Sequence, residues 1–341
     1  MLNFCTLFDS NYLSRGLVTY DSLINVTSGN VHLYVIAFDD KCFEVLTNMS
    51  LPHLTVISLS AFEDEALLAI KPTRSRGEYC WTCTSSTILY CIKKYQLPHC
   101  IYIDADMFFY SDPQVLVDEM PSDKHVMITE HRYTPQYDKS KLSGKYCVQF
   151  MYFDSSDKGL EVLNWWRAKC LEWCYNRHED GKFGDQKYLD DWTERFPCVY
   201  ELQHLGGGLA PWNIQRFDYQ ETKNGISLML KNAKNLNEEF PYTEGELVEP
   251  IFFHFHGVKL YENGGAIYAP KMYILNKNTR QIFYEPYLQK LQIAQQQLYS
   301  FDTDFEKLGI LSSKQYSQDR TKGWGAFVKT NVLNKFLGMK L

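Results

Sequence analysis

The chain has 341 residues, 45% of them hydrophobic and 15% aromatic, which is enough apolar material for one large α/β domain or two intimate ones. A net charge of −6 excludes a general nucleic-acid binder, which should carry a basic stripe. No run of about eighteen uncharged apolar residues occurs, so no membrane-spanning helix is expected.

The opening MLNFCTLFDSNYLSRG lacks the basic-then-apolar order of a secretory leader, so a cytoplasmic protein is expected. The ten cysteines are then expected as free thiols. Cys80 and Cys83 form a CxxC with no second pair at zinc-ribbon spacing, and Cys170 and Cys174 lie four apart on an expected helix. The sequons at Asn25 and Asn48 carry no meaning in that compartment.

In chain order, residues 2–7 read as a strand and 12–25 have helical spacing. Residues 31–38 read as a strong strand ending at Asp39 and Asp40, and 54–59 as another. Helical spacing over 82–94 leads to strands at 101–103 and 126–129. Strands alternating with helices predict βαβ units and a mainly parallel sheet. Further on, 148–153 reads as a strand, 158–176 as an aromatic helix whose Trp165, Trp166 and Trp173 suit a core, and 185–192 as the start of another helix. Gly206 to Gly208 read as a loop, with the lining of a cleft as its functional reading. Residues 251–255 read as a late strand, and a Gln-rich helix begins near 287.

The most informative segment is Ile101-Tyr102-Ile103-Asp104-Ala105-Asp106-Met107. An apolar strand delivers two carboxylates at its C-terminal end, where ligands bind in open α/β sheets. Residues two apart on extended chain point the same way. Two adjacent carboxylates repel, and a hard divalent cation such as Mg²⁺ or Mn²⁺, shared with a diphosphate, offsets that repulsion. The other reading is a solvated turn at the strand end. A second strand, Phe252-Phe253-His254-Phe255-His256, places two histidines on one side, with Lys259 close behind as a point charge for phosphate. Imidazole beside carboxylates suits Mn²⁺ better than Ca²⁺. A strand histidine taken alone is a structural residue.

Together these residues resemble the GT-A nucleotide-diphospho-sugar transferases, particularly glycosyltransferase family 8. Thr6-Leu7-Phe8-Asp9-Ser10-Asn11-Tyr12 is similar to that family's first strand and turn, which implies donor contacts from Phe8, Asp9 and Tyr12, with Tyr12 stacking on uracil. Arg76 stands near the family's basic donor-binding position, and Ala105 lies within the Asp-x-Asp. Asp104 and Asp106 match the Asp-x-Asp, and His254 and Gly257 match the His-x-x-Gly, which implies metal ligation by Asp104, Asp106 and His254, with His256 as a further candidate. Asp185 and Gln186 are similar to the family's Asp-Gln pair beside the donor sugar and acceptor. Asp185 also reads as a helix N-cap, and as base, nucleophile or orienting group its role stays open. Two departures stand out. Lys259 falls one position before the family's lysine, and Lys145-Tyr146-Cys147-Val148-Gln149 replaces a segment in which the family carries an asparagine. Residues 165–213 are closer to bacterial glycosyltransferases of surface-polysaccharide clusters.

The resemblance implies an α/β GT-A fold, with a Rossmann-like, mainly parallel sheet over residues 1–285 and a helical C-terminal extension over 286–341. Donor binding is expected over about 1–130 and acceptor binding over about 131–285. The implied activity is metal-dependent transfer of a sugar, with retention, from a UDP-sugar to a glycan or lipid-linked acceptor, with Mn²⁺ or Mg²⁺ as cofactor. A non-catalytic sugar-binding module and a metal-dependent nucleotidyltransferase are the alternatives; the latter should open with a Gly-rich loop, and Asp9-Ser10-Asn11-Tyr12 is not one. The basic, aromatic segment 314–341 reads either as a contact with an anionic membrane surface or as a docked terminal helix.

Overall fold

The computed structural model describes residues 1–222, 225–233, 242–301 and 308–320. Its centre is a seven-stranded sheet made of β1 (Leu2–Phe8), β2 (Val31–Ala37), β3 (Leu54–Ser58), β4 (His99–Ile103), β6 (Val126–Glu130), β7 (Tyr146–Asp154) and β8 (Val199–Glu201), in the order β3-β2-β1-β4-β7-β6-β8. The short strand β5 (Met107–Phe109) lies outside it. Pairing is parallel from β3 to β4, antiparallel on both sides of β7, and parallel again between β6 and β8. Six strands therefore run one way, and β7 alone runs against them. All seven residues of β1 are buried, as expected of a central strand covered on both faces.

Helices cover the two faces. The helix Leu13–Val26 packs Leu13, Leu17 and Leu23 against one face, with Phe4, Ile101 and Phe150 from the sheet. The helix Glu285–Phe301 adds Tyr287, Leu291, Ala294 and Leu298 to the same core. Gly16 lets the first helix approach the sheet, since a Cβ there would lie 2.4 Å from the Phe8 ring. The helices Arg76–Tyr95 and Asp157–Glu172 cover the other face, burying Ile88, Leu163 and Trp166 with Val126 and Phe153. The helix Arg76–Tyr95 starts six residues before its apolar spacing does, because Ser75 and Glu78 form a capping box.

A second, three-stranded sheet begins just beyond the C-terminal end of β4. It joins β5 to β9 (Gly207–Leu209) through β13 (Phe252–His254). The hairpin β10 (Phe217–Thr222) and β11 (Gly225–Leu230), with β12 (Leu247–Val248), lies between β9 and β13 in sequence.

Three readings change. Gly206 to Gly208 do not line an open cleft: all three are buried, and Gly207 begins β9. A Cβ at Gly206 would lie 1.9 Å from the Glu249 carbonyl oxygen, so close packing demands glycine there. Residues 185–192 form a 3-10 turn, Gln186–Asp191, followed by the short helix Trp192–Arg195. The aromatic helix ends at Glu172, where Trp173 turns extended. All ten cysteines are free. Among the described residues, no helix is long and apolar enough to cross a membrane. Of the basic tail, residues 321–341 lie outside the described residues.

Candidate functional site

The chain leaves β4 at Ile103, turns through Asp104, Ala105 and Asp106, and enters β5. The Asp104 N–H donates to the Gln149 carbonyl on β7 at 3.2 Å. The Thr19 hydroxyl is shared between the carbonyls of Ala105 and Met107, 2.8 Å from each, and accepts from the Met107 N–H at 3.2 Å. One helical turn later, Ser22 Oγ accepts from the Phe109 N–H at 3.1 Å. Buried backbone groups need partners, and these two hydroxyls supply them where the ladder breaks. Ala105 is thus held by its carbonyl, with its methyl group buried.

β13 brings the histidine. His254 pairs with Met107, next to the turn. Its Nε2 lies 3.1 Å from Asp106 Oδ1 and 3.6 Å from Asp104 Oδ2. One ligand atom from each of Asp104, Asp106 and His254 falls within 4.8 Å of the others. Two carboxylate oxygens and an imidazole nitrogen converging this way form a donor set suited to Mn²⁺ or Mg²⁺. Burial disfavours an imidazolium, but Asp106 and Asp104 outweigh it and raise the His254 pKa well above its usual range. Burial likewise disfavours the Asp106 carboxylate, yet His254, His256 and Arg15 bring it down to about 2. Asp104 goes the other way, raised by burial, with the Tyr102 hydroxyl donating to its Oδ1 at 3.1 Å. His256 lies outside the group of three; it is exposed, and its ring centroid is 5.7 Å from that of His254.

Across the C-terminal ends of β1 and β2 lies the second part of the site. Arg76 bridges Asp9 at 2.7 Å and Asp39 at 3.0 Å. Asp39 is also tied by Ser10 and by the Cys42 N–H. A cleft of about 320 Å³ opens beside them, lined by Phe38, Asp39, Arg74, Arg76 and Tyr79 among others. Tyr12 is 41% exposed, and its hydroxyl pKa rises to about 12, chiefly through the Asp106 charge. Phe8 is buried, its ring closed over by Gly16, so it offers a ligand main-chain atoms only.

No family model matches the chain. It is 29% identical over 264 residues to uncharacterized protein YfnF of Bacillus subtilis, spanning 75% of this chain and 82% of that one. It is 27% identical over 281 residues to YfnD of the same organism, spanning 80% and 84%. Among solved structures, it superimposes on the galactosyltransferase LgtC, solved with donor and acceptor sugar analogues, with a TM-score of 0.52 at 11% identity, covering 86% of this chain and 96% of that one. The chain has the GT-A fold.

Within this GT-A frame the remaining candidates divide. Asp185 is 5% exposed and occupies the cap position of the 3-10 turn, but its side chain makes no capping bond. Burial, then the Asp104 charge, raises its pKa to about 7. Its carbonyl accepts from Trp166 Nε1 at 2.9 Å, and the Gln186 side-chain amide donates to the Ser143 carbonyl. Lys259 is paired with Asp319 at 3.0 Å.

Sequence reasoning missed Arg15. It is 5% exposed, its Nη2 donates to the Val258 carbonyl at 3.0 Å, and its guanidinium lies 4.8 Å from the Tyr12 ring centroid. Its charge reaches Asp106. The two other misses, Thr19 and Gln149, hold the turn that carries the carboxylates.

Proposed function

We propose that this chain is a metal-dependent glycosyltransferase, moving a sugar from a UDP-sugar to a glycan or lipid-linked acceptor in surface-polysaccharide synthesis. The observation that carries the reading is the convergence of Asp104, Asp106 and His254 at the C-terminal edge of the sheet. These three residues would hold Mn²⁺ or Mg²⁺, which supplies Lewis-acid stabilisation of charge on the departing diphosphate. Tyr12, Asp9 and Arg76, beside the cleft at the ends of β1 and β2, suit the nucleoside. Arg15 adds a buried positive charge where phosphate oxygens would lie, and buried charges need a partner of opposite sign.

Asp185 is the acceptor-side group in this reading. A carboxyl poised near neutrality can accept or hold a proton at working pH. Gln186 orients the same segment through Ser143. The transfer proceeds with retention on this assignment, as the resemblance to glycosyltransferase family 8 implies.

The test is a panel of UDP-, GDP- and CMP-sugars with Mn²⁺, read by thermal shift and by nucleotide release. Stabilisation and slow release with a UDP-sugar, both abolished by chelator, are expected. Stabilisation by no nucleotide would favour a glycan-binding module, and release of pyrophosphate from a nucleoside triphosphate would favour a nucleotidyltransferase. For the acceptor, sedimentation with anionic liposomes compares the full chain with one ending near residue 313. Loss of binding in the shorter chain supports membrane contact through the tail; equal binding removes it.

A further inference from the structure

Gln149 sits in the middle of β7, in the run Tyr146-Cys147-Val148-Gln149-Phe150-Met151, and is 0% exposed. Its main-chain carbonyl accepts from the Asp104 N–H at 3.2 Å. Its side-chain Oε1 lies 2.9 Å from His254 Nδ1. One residue thus touches both segments that supply the carboxylate–imidazole group.

Its other amide atom, Nε2, is buried and has no hydrogen-bond partner among the described residues. An unmade bond of this kind costs about 1–3 kcal/mol. A leucine or methionine would fill the same space without that cost, so packing does not account for a glutamine here. The surroundings are also shaped to it. Gly208 has φ +109°, and a Cβ there would come within 3.2 Å of Gln149 Nε2 and 3.0 Å of the Thr129 methyl group.

A neutral imidazole carries one proton on one of two nitrogens, and its partner selects which. An amide oxygen only accepts, so Oε1 against Nδ1 places the proton on Nδ1. Nε2, which faces Asp106 and Asp104, is then the nitrogen that gives up its proton and offers its lone pair when a cation enters between them. The opposite amide orientation would favour a proton on Nε2 and block coordination there. Metal-binding histidines characteristically donate their other N–H to such an acceptor, which fixes the ring.

We propose that Gln149 is a positioning residue that holds His254 in the Nδ1–H tautomer, with Nε2 free to bind a divalent cation beside Asp104 and Asp106. The inference rests on the metal reading given above. It also gives a role to the segment 145–149, where the sequence departs from family 8.

The experiment measures Mn²⁺ affinity by titration calorimetry on the full chain, for the wild type, Gln149→Leu and Gln149→Glu. Leucine removes the acceptor and keeps the bulk, and glutamate restores an acceptor oxygen. Gln149→Leu is expected to lose about ten- to a hundredfold in affinity, while Gln149→Glu stays within about threefold of the wild type. A second measurement needs no variant. With Mg²⁺ bound, ¹⁵N-histidine spectra of the wild type should show His254 protonated at Nδ1. Wild-type affinity in Gln149→Leu, or a wild-type ring protonated at Nε2, overturns the positioning role alone. No Mn²⁺ binding by the wild type overturns the metal reading, and the positioning role falls with it.

Discussion

Replacing Asp185 with asparagine should stabilise the protein while weakening transfer. The carboxyl is almost wholly buried, and burial together with the Asp104 charge raises its pKa from 3.8 to about 7. In the unfolded chain it loses its proton near 3.8; in the folded chain it keeps it until about 7. Between those values the folded state binds more protons, so stability falls as pH rises. Below the unfolded value the effect vanishes, and above about 7 it is complete. The shift of roughly three pH units corresponds to about 4 kcal/mol at 1.36 kcal/mol per unit, an upper bound because the site relaxes. An asparagine amide cannot ionise, so Asp185→Asn should match the wild type near pH 4 and melt roughly 5 °C higher at pH 8. Calorimetric melts from pH 4 to 8 in chelator read this directly, since a bound cation would cancel part of the Asp104 charge. A stability difference that does not change with pH, or a variant less stable at pH 8, refutes the reasoning.

Three further outcomes follow from the same geometry. Asp106→Asn removes the negative charge of the carboxylate that lies 3.1 Å from His254 Nε2 and should abolish metal-dependent donor hydrolysis and lower Mn²⁺ affinity by more than about a hundredfold; full activity refutes the ligand assignment. Arg15→Met deletes a buried charge that acts on Asp106 and should weaken UDP binding about tenfold, the loss of one charge-assisted contact, measured by calorimetry with Mn²⁺ present; unchanged affinity removes Arg15 from the donor site. Gly257→Ala forces a side chain onto φ +77° and puts its Cβ 2.7 Å from Pro270 Cδ, so urea denaturation should show a loss of about 1–3 kcal/mol; a neutral change would mean the turn relaxes.

The parallel half of the sheet was legible because strands buried on both faces show as unbroken apolar runs, as at 31–38 and 101–103. The carboxylate pair was legible because it ends such a run. Strand direction was not: side-chain alternation is the same for β7, which runs against its neighbours. Arg15 was hidden because its helix is buried nearly all round from Leu13 to Tyr20, and long cations usually snorkel outward. Gln149 did leave a signal, one amide amid aromatic and apolar neighbours on a buried strand. Ser75 and Glu78 were equally readable as a capping box, which would have placed Arg76 at the helix start. The glycines at 206–208 misled, because glycine serves close approach as readily as it serves turns.

The small three-stranded sheet ties Asp106 to a histidine about 150 residues downstream through three paired residues on β5 and β13. Most of the parallel sheet can form before β13 has left the ribosome, and until then the acidic turn has no imidazole opposite it. On the proposed metal reading, ion capture would be a late event of synthesis, and a chain cut short before His254 would lack the imidazole of the donor set.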